Sequence, residues 1–378
     1  MDFDIFEKTV LLVQSGSRLY GINTESSDFD VQGVAVPPPK YFFGTSKFEQ
    51  FADINVLNTE PFLSLFSNSD RELIAKTKLE GTIFDIRKYV KLAADNNPNI
   101  LDTLFAPESK VLKQTAAGRI LRENAPKILN KYLYYRFTGY ATEQLNKMET
   151  HRQYLLNPIT ERPTRESYNL KNTTDLSEGE LATIYAAVSK HVDKWENAFP
   201  TGMSQSDIWM IKSHYKDTLK EMAIAKEERY LLAERRLGIP SSISEYFAAE
   251  RKFNKAVDDY KSYQKWLKDR NPERAALEAK FGYDTKFAVH LIRLLRACRD
   301  LLKTGTYDVC RTGIDADLLL QVRAGQFKYE EILQMSENTR REAEDLFNKN
   351  PANLPSGVDR DFVEELQMRV IEAAYGEK

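Results

Sequence analysis

The sequence predicts an α+β protein, in which a small mixed sheet with helices at the N-terminus is followed by a mostly helical C-terminal region. Three observations support this class. Short β-branched and aliphatic runs occur among helical patterns in the first hundred residues. Prolines 37–39 end one of these runs, because proline cannot continue a helix or the interior of a sheet. Beyond residue 99 the apolar residues recur almost entirely at helical spacing.

Three strands are expected in the N-terminal part. The first spans residues 9–13 and ends in a tight turn. The second spans residues 29–36, and the third spans residues 79–84, after which a helical pattern begins. Residues 44–76 show weak periodicity, so we expect loops with short helical pieces there.

The rest of the chain is expected to be helical. We divide the sequence into a core of residues 1–105 and a helical domain of residues 106–378 that closes a cleft, with residues 157–275 as an expansion. The helices are predicted near residues 99–105, 111–124, 132–154, 176–196, 206–237, 241–268, 286–302, 315–323, 329–347 and 359–374.

Composition excludes several functional classes. A net charge of −2 argues against a protein that binds nucleic acid or membrane over its whole surface, although a local basic cleft is permitted. No signal-like segment or membrane-spanning run is present, so we expect a cytoplasmic protein without a membrane partner. Cys298 and Cys310 are the only cysteines, and they suggest neither a disulfide framework nor a zinc site.

A glycine–serine turn and two acids carry the clearest chemical signal. Gly16 lets the backbone approach a phosphate, Ser17 adds a hydroxyl, and the N–H groups that open the next helix favour an anion. Asp28 and Asp30 follow on the next strand, where alternation places both on one face. Adjacent carboxylates repel and favour Mg²⁺ with substrate phosphate oxygens. The alternative is that Asp28 is a turn residue and Asp30 an edge charge.

The pattern of Gly16-Ser17 followed by Asp28-Phe29-Asp30 resembles the signature of the polymerase β superfamily, the minimal nucleotidyltransferase fold. Residues 281–295, FGYDTKFAVHLIRLL, resemble the C-terminal helix of the RNA-ligase-associated nucleotidyltransferase family, which is RlaP-like. The similarity covers residues 10–155 and 280–335. Shorter matches are Tyr20-Gly21, Asn97-Pro98-Asn99-Ile100-Leu101, Asp317-Leu318-Leu319 and Arg323-Ala324-Gly325.

The resemblance implies a metal-dependent enzyme that moves a nucleoside monophosphate from a nucleoside triphosphate to an acceptor hydroxyl. RNA is the acceptor that the family suggests, in RNA repair or end modification. Two Mg²⁺ ions would be held by Asp28, Asp30 and a third carboxylate, and Ser17 and Arg18 would hold the β- and γ-phosphates. Two alternatives stay open: a non-catalytic nucleotide or RNA sensor that keeps the fold, and nucleotidylation (AMPylation) of a protein.

The third carboxylate has two candidates, Glu80 and Asp85. They have opposite parity on a regular strand, so both cannot face the other two acids. The resemblance places this acid about six residues before the helix that carries Arg87, whereas Asp85 suits the N-cap of that helix. Glu80 is therefore favoured as a catalytic and metal-binding residue, with Asp85, or neither residue, as the alternatives.

A basic row follows from residues 286–293. Lys286, His290 and Arg293 have i, i+4 and i+7 spacing and share a helix face. The resemblance gives them a role in binding the triphosphate from across the cleft. The alternative is a surface row paired with acids, and a structural hydrogen bond for His290.

A candidate RNA surface lies in residues 131–154, where basic and aromatic residues interleave. Such a mixture suits contacts to a nucleic-acid backbone and base stacking. Helix packing explains the aromatic residues equally well. The residues concerned are Tyr132, Tyr134, Tyr135, Arg136, Tyr140, Lys147, Arg152 and Tyr154.

Overall fold

The computed structural model describes residues 2–25, 27–170, 177–196 and 226–376. The chain divides into two compact units. The first combines Met1–Arg152 with Ala276–Lys378, and the second is Gln153–Ala275. The candidate site and all of its neighbours discussed below belong to the first unit.

The first unit contains a mixed five-stranded sheet with the strand order β3-β4-β2-β1-β5. The pairs β1–β2, β1–β5 and β3–β4 are antiparallel, whereas β2 and β4 run parallel. The three strands expected from sequence are β1, β2 and β4, and the structure confirms the small mixed sheet. The helix predicted at residues 111–124 is wrong at its start, because residues 111–114 pair with β1 as β5 and the helix begins at Ala116. The strands are β1 (Thr9–Ser15), β2 (Phe29–Ala35), β3 (Gln50–Phe51), β4 (Leu79–Asp85) and β5 (Val111–Gln114).

Both faces of the sheet are covered by apolar cores. Alternation along β1 sends Leu11 and Val13 to one core and Leu12 to the other. On β2, Val31 joins the smaller core and Val34 the larger one. Burial on both faces fixes the register, because a slip of one residue would exchange the two sets.

Short helices connect the strands, and longer ones follow the sheet. Several begin at side-chain caps, such as Asp85 before α7 and Asn97 before α8, which satisfy the first N–H groups. The helices of this part are α1 (Ile5–Lys8), α2 (Gly16–Tyr20), α3 (Lys40–Phe43), α4 (Ile54–Leu57), α5 (Glu60–Leu63), α6 (Asn68–Thr77), α7 (Ile86–Ala94), α8 (Pro98–Leu104), α9 (Ala116–Asn124) and α10 (Leu133–Leu156).

The remainder of the described chain is helical, as the sequence predicts. The expected helix at residues 206–237 lies partly outside the described residues, which resume within it at Lys226. No described helix is long and apolar enough to cross a membrane. The helices are α11 (Glu178–Glu196), α12 (Lys226–Arg236), α13 (Ser241–Asp269), α14 (Pro272–Phe281), α15 (Thr285–Thr304), α16 (Ala316–Arg323), α17 (Tyr329–Lys349) and α18 (Arg360–Gly376).

A buried ion-pair network joins the C-terminal helices to α2. Arg311 is 2% exposed and donates to both carboxylate oxygens of Asp315, at 2.7 and 2.8 Å, and to Asp300 at 2.7 Å. Its backbone N–H donates to the carbonyl of Tyr20, the last residue of α2, at 2.9 Å. The network therefore anchors the helix that follows the first strand.

Replacing Arg311 with alanine should lower the free energy of unfolding by about 3 to 5 kcal/mol, because two acids lose their buried partner. The matched control is Arg341→Ala, whose side chain is 71% exposed and pairs with Glu337 on one helix face. That change should cost about 0.5 kcal/mol. Urea unfolding of both variants makes the comparison, and equal losses would contradict a structural role for the buried network.

Candidate active site

Two neighbouring parallel strands place carboxylates side by side on one face of the sheet. In the β2–β4 pair, Asp30 is in register with Glu80, and Gln32 with Thr82. Residues in register on adjacent strands project to the same face. Asp28 lies just before β2 and is exposed. The structure thus brings the three predicted acids to one region.

The turn after β1 packs directly against Asp30, one of these three acids. Ser15, the last residue of β1, is paired with Asp30. Gly16 follows with φ = +66°, and a Cβ there would lie 2.3 Å from Asp30 Oδ2. Only glycine tolerates both that backbone conformation and that approach. Ser17 lies in the first turn of the short helix α2, half-buried.

Two arginines hold the loop that leads to Asp28. Arg18 Nε donates to the Asp28 carbonyl at 3.2 Å, and its Nη2 donates to the Ser27 carbonyl at 2.9 Å. Arg323 donates to the carbonyl of Ile22 at 2.9 Å and to Ser27 Oγ at 3.2 Å. The Arg18 guanidinium is therefore bonded to the loop, and its predicted contact with phosphate stays a prediction.

The electrostatic environment of Asp30 reflects this crowding. Its pKa is raised above the usual value, chiefly by burial. The carboxylates of Asp28 and Glu80 raise it further, while Lys286 and Arg18 oppose the rise. Three acids that repel one another at a cleft favour a cation between them.

Glu80 and Asp85 occupy different environments on β4. Glu80 is exposed beside Asp30. Asp85 is 1% exposed, caps α7 by accepting from the Arg87 N–H at 2.7 Å, and pairs with the Arg87 guanidinium at 2.8 Å. Of these two acids, only Glu80 therefore lies in the cluster of carboxylates around Asp30. Its role as the third carboxylate of a reaction stays a prediction.

The basic row on α15 is only partly open. Lys286 is exposed, and its charge acts on Asp30 and opposes the rise of the Asp30 pKa. His290 is half-buried. Arg293 is 3% exposed, lies 3.6 Å from Asp102, and has its guanidinium 3.7 Å from the centre of the Tyr20 ring. Arg293 is therefore not exposed as the basic row predicts, because the face of α15 that carries it packs against α2 and α8.

A buried polar group lies behind the cleft. Tyr20 donates to Asp102 Oδ2 at 2.7 Å, and Tyr307 donates to Asp102 Oδ1. Arg293 supplies the positive charge that this buried acid requires. Tyr20, Asp102, Gly16 and Asp30 together line a cleft of about 250 Å³. Arg293 thus acts on the cleft indirectly, by stabilising the buried Asp102 that lines it.

The acids fit Mg²⁺ in chemistry. All three candidate ligands offer carboxylate oxygens, the donors that Mg²⁺ prefers. Their oxygens do not all lie within 4.8 Å of one another. Asp28 and Glu80 are exposed, so their side chains can rotate toward Asp30. A cation bound beside Asp30 would drive that rearrangement, because it attracts all three carboxylates.

Sequence reasoning did not assign Asp102, Tyr307 or Arg323 to the site. The apolar helical stretch PNILDTLF contains a single acid, Asp102, and a lone acid on a buried helix face signals a buried partner. Arg323 belongs to one of the short motifs that resemble the family, but its contacts with the loop before Asp28 join segments about 300 residues apart. Sequence spacing carries no signal for such a contact.

The aromatic residues of α10 pack largely within the protein. Tyr134 stacks on Phe347 with ring centres 4.9 Å apart, and Tyr135 meets the same ring edge-on at 5.2 Å. Arg136 donates to the carbonyl of Asp95 at 3.0 Å. Helix packing therefore explains these three residues, and RNA binding by α10 stays a prediction.

Replacing Gly16 with alanine should force the Asp30 carboxylate from its place and strain the turn, with a loss of about 1 to 3 kcal/mol in unfolding free energy. Gly179→Ala is the control, because nothing lies within 4 Å of a Cβ there and the residue is helical. That variant should be unchanged or slightly more stable. Thermal unfolding of both compares them, and a fully stable Gly16→Ala protein would refute the packing described here.

Comparison with known proteins gives one family match. Residues 4–159 match the model of RlaP, described as the RNA repair pathway DNA polymerase beta family. This range contains the whole sheet, the glycine turn and the three acids. The resemblance noted for residues 281–295 lies outside the matched range and stays a prediction.

One relative comes from Enterobacteria phage T4, a protein described as an uncharacterized 38.9 kDa protein in the nrdC-mobD intergenic region. It is 27% identical over 142 residues, which cover 37% of this chain and 38% of the phage protein. The match thus spans less than half the length of that relative. No solved structure matches. Residues 4–159 of this chain, which contain the sheet and the acids, are therefore similar to the RlaP family of polymerase β-like proteins.

Proposed function

We propose that this protein is a Mg²⁺-dependent nucleotidyltransferase that transfers a nucleoside monophosphate from a nucleoside triphosphate to an acceptor hydroxyl, with an RNA end as the acceptor. The observation that carries the proposal is the cluster of three carboxylates, Asp28, Asp30 and Glu80. Asp30 and Glu80 are in register on adjacent strands, Asp28 precedes them, and the Gly16 turn packs against Asp30. The RNA acceptor rests on the family description, RNA repair.

Asp28, Asp30 and Glu80 would hold Mg²⁺, which supplies a Lewis acid for the α-phosphate and lowers the pKa of the acceptor hydroxyl. The acceptor oxygen forms a bond to the α-phosphorus, and the bond to the oxygen that bridges α and β breaks. Pyrophosphate leaves with that electron pair, and the hydroxyl proton passes to a site carboxylate.

The cationic groups have distinct tasks in this proposal. Lys286 is near enough for its charge to lower the pKa of Asp30, and it would bind the triphosphate as a charged donor. Gly16 and Ser17 would approach the β- and γ-phosphates with backbone N–H groups and a hydroxyl. Arg18 fixes the loop of Asp28 through Ser27 and stays close enough to act on Asp30.

The general test is label transfer. The protein is incubated with each nucleoside triphosphate labelled at the α-phosphate, with Mg²⁺ and total RNA or protein lysate. Label in RNA supports the proposal as stated. Label in protein supports the enzyme class with a different acceptor. Label in neither, with triphosphate still bound, favours a nucleotide sensor and contradicts the proposal.

Glu80→Gln should reduce transfer at least a hundredfold and leave stability unchanged, because an exposed metal ligand is lost. Asp30→Asn and Asp28→Asn should abolish transfer for the same reason. Asp85→Asn is the matched control: asparagine still caps a helix, so the variant should keep its transfer rate and lose only the stability of the Arg87 pair. Rates and urea unfolding are measured on each protein. A larger rate loss in Asp85→Asn than in Glu80→Gln would contradict the assignment.

Lys286→Ala should raise the KM for the triphosphate roughly tenfold to a hundredfold, since one charge-assisted phosphate contact contributes about 1.5 to 3 kcal/mol. Lys303→Ala, on an exposed position of the same helix, should leave KM unchanged. Arg293→Ala should instead lower the unfolding temperature, because it leaves Asp102 buried without its cation. An unchanged KM in Lys286→Ala would show that this lysine does not bind the triphosphate.

A further inference from the structure

Neutral polar side chains line the cleft beside the three acids. Gln32 follows Asp30 by two residues on β2, and Thr82 follows Glu80 by two residues on β4. Gln32 and Thr82 are in register, so they project to the face of the sheet that carries the acids. Asn99, in the first turn of α8, lines the same cleft. The transfer reaction proposed above gives none of these three polar residues a task.

These three side chains keep hydrogen-bonding groups that the rest of the described chain does not use. Gln32 and Thr82 are half-buried, and Asn99 is exposed. Within the part of the chain that the structure describes, Gln32 Nε2, Thr82 Oγ1 and the side-chain amide of Asn99 have no hydrogen-bond partner. Polar groups that line a cleft without an internal partner are available to a ligand, and they fix its orientation.

A buried hydroxyl sets the orientation of the Gln32 amide. Thr103 of α8 is fully buried, and its Oγ1 donates to Gln32 Oε1. The same Oγ1 lies 3.2 Å from the carbonyl oxygen of Asn99, which is the longer contact, so the single proton of the hydroxyl goes to Gln32. Because the amide oxygen is engaged, the two N–H groups of Gln32 remain for an acceptor in the cleft.

The chemistry of this part of the cleft suits the hydroxyls of a ribose. None of the described residues that line the cleft is a lysine or an arginine, so a phosphate finds no counter-charge in the lining. Tyr20 is the one aromatic residue among them, and its ring is 6% exposed beneath the Arg293 guanidinium, so a base has no ring face to stack on. Amides and hydroxyls both donate and accept hydrogen bonds, as ribose hydroxyls require of their partners.

The position of these side chains along the sheet agrees with that ligand. Two residues of a strand span about 7 Å, which separates Gln32 from Asp30 and Thr82 from Glu80. The ribose of a nucleotide is joined to its α-phosphate through only one oxygen and one carbon atom. A phosphate held beside Asp30 and Glu80 therefore leaves its ribose within reach of Gln32 and Thr82.

We propose that Gln32, Thr82 and Asn99 bind the ribose of the nucleoside triphosphate, including its 2′-hydroxyl, so that the protein selects ribonucleotides over 2′-deoxyribonucleotides. Thr103 is a positioning residue, because it acts through the amide of Gln32. A 2′-deoxynucleotide leaves a polar group of the cleft without its partner, and that loss weakens binding. The inference rests on the proposed function, since it requires a triphosphate in this cleft.

The test is calorimetric binding of nucleoside triphosphates to the full chain with Mg²⁺. The probes are the α,β-methylene analogues of ATP, GTP, CTP and UTP, which resist transfer, each compared with its 2′-deoxy form. The wild-type protein should bind the ribonucleotide roughly tenfold or more tightly than the 2′-deoxy form. In a Gln32→Met, Thr82→Val double variant, which keeps the side-chain sizes, this preference should fall to within about twofold. Gln32→Met alone should reduce it about threefold.

Two further variants separate positioning from a general loss of structure. Thr103→Val removes the donor to Gln32 and should also lower the preference about threefold, whereas Thr103→Ser keeps the hydroxyl and should retain it. Gln334→Met is the matched control, because this glutamine is exposed on α17, and it should keep the wild-type preference. Thermal unfolding checks that each variant is folded.

The outcomes distinguish this inference from the function on which it rests. Equal affinity of the wild-type protein for the ribose and 2′-deoxy forms would overturn the ribose site and leave the transferase proposal in place. A preference that survives in the Gln32→Met, Thr82→Val variant would overturn the assignment to these side chains. If no triphosphate binds at all, the proposed function fails, and the ribose site fails with it.

Discussion

The contact between the Gly16 turn and the Asp30 carboxylate constrains the whole N-terminal region. The turn stands at the end of β1, and Asp30 stands on β2, so the antiparallel pairing of these strands brings backbone and carboxylate together. The parallel pairing of β2 with β4 then adds Glu80 on the same face. The Gly16 turn and the three acids can share one cleft because Gly16 has no side chain to separate the turn from Asp30.

The loop and the helix that flank these charged residues are held in place by contacts from outside the sheet. The loop before Asp28 is held by Arg323 from α16, and the helix after Gly16 is held by Tyr20, whose hydroxyl donates to Asp102. Arg293 balances that buried acid. The C-terminal helices therefore act on the cleft mainly by fixing its walls. Among the residues predicted on α15, Lys286 is the cation that acts on Asp30.

Much of this arrangement could be predicted from the sequence, because local rules determine it. Parity on one strand separates Glu80 from Asp85, and the structure has Glu80 beside Asp30 and Asp85 at the N-cap of α7. Alternation does not explain the position of Asp28, because this residue lies just before β2. The burial of individual side chains could not be predicted in the same way. Helical spacing gives the face of Arg293 but not what packs against that face.

The proposed function requires Asp30 and Glu80 to bind a divalent ion together with the triphosphate. A crystal structure with Mn²⁺ and a non-hydrolysable nucleoside triphosphate tests it most directly, since anomalous scattering locates the metal. We expect a metal ion in direct contact with Asp30 and Glu80, at about 2.0 to 2.2 Å from their oxygens, that also contacts an α-phosphate oxygen. A triphosphate bound away from the Gly16 turn, or metal only at sites remote from Asp30, would contradict it.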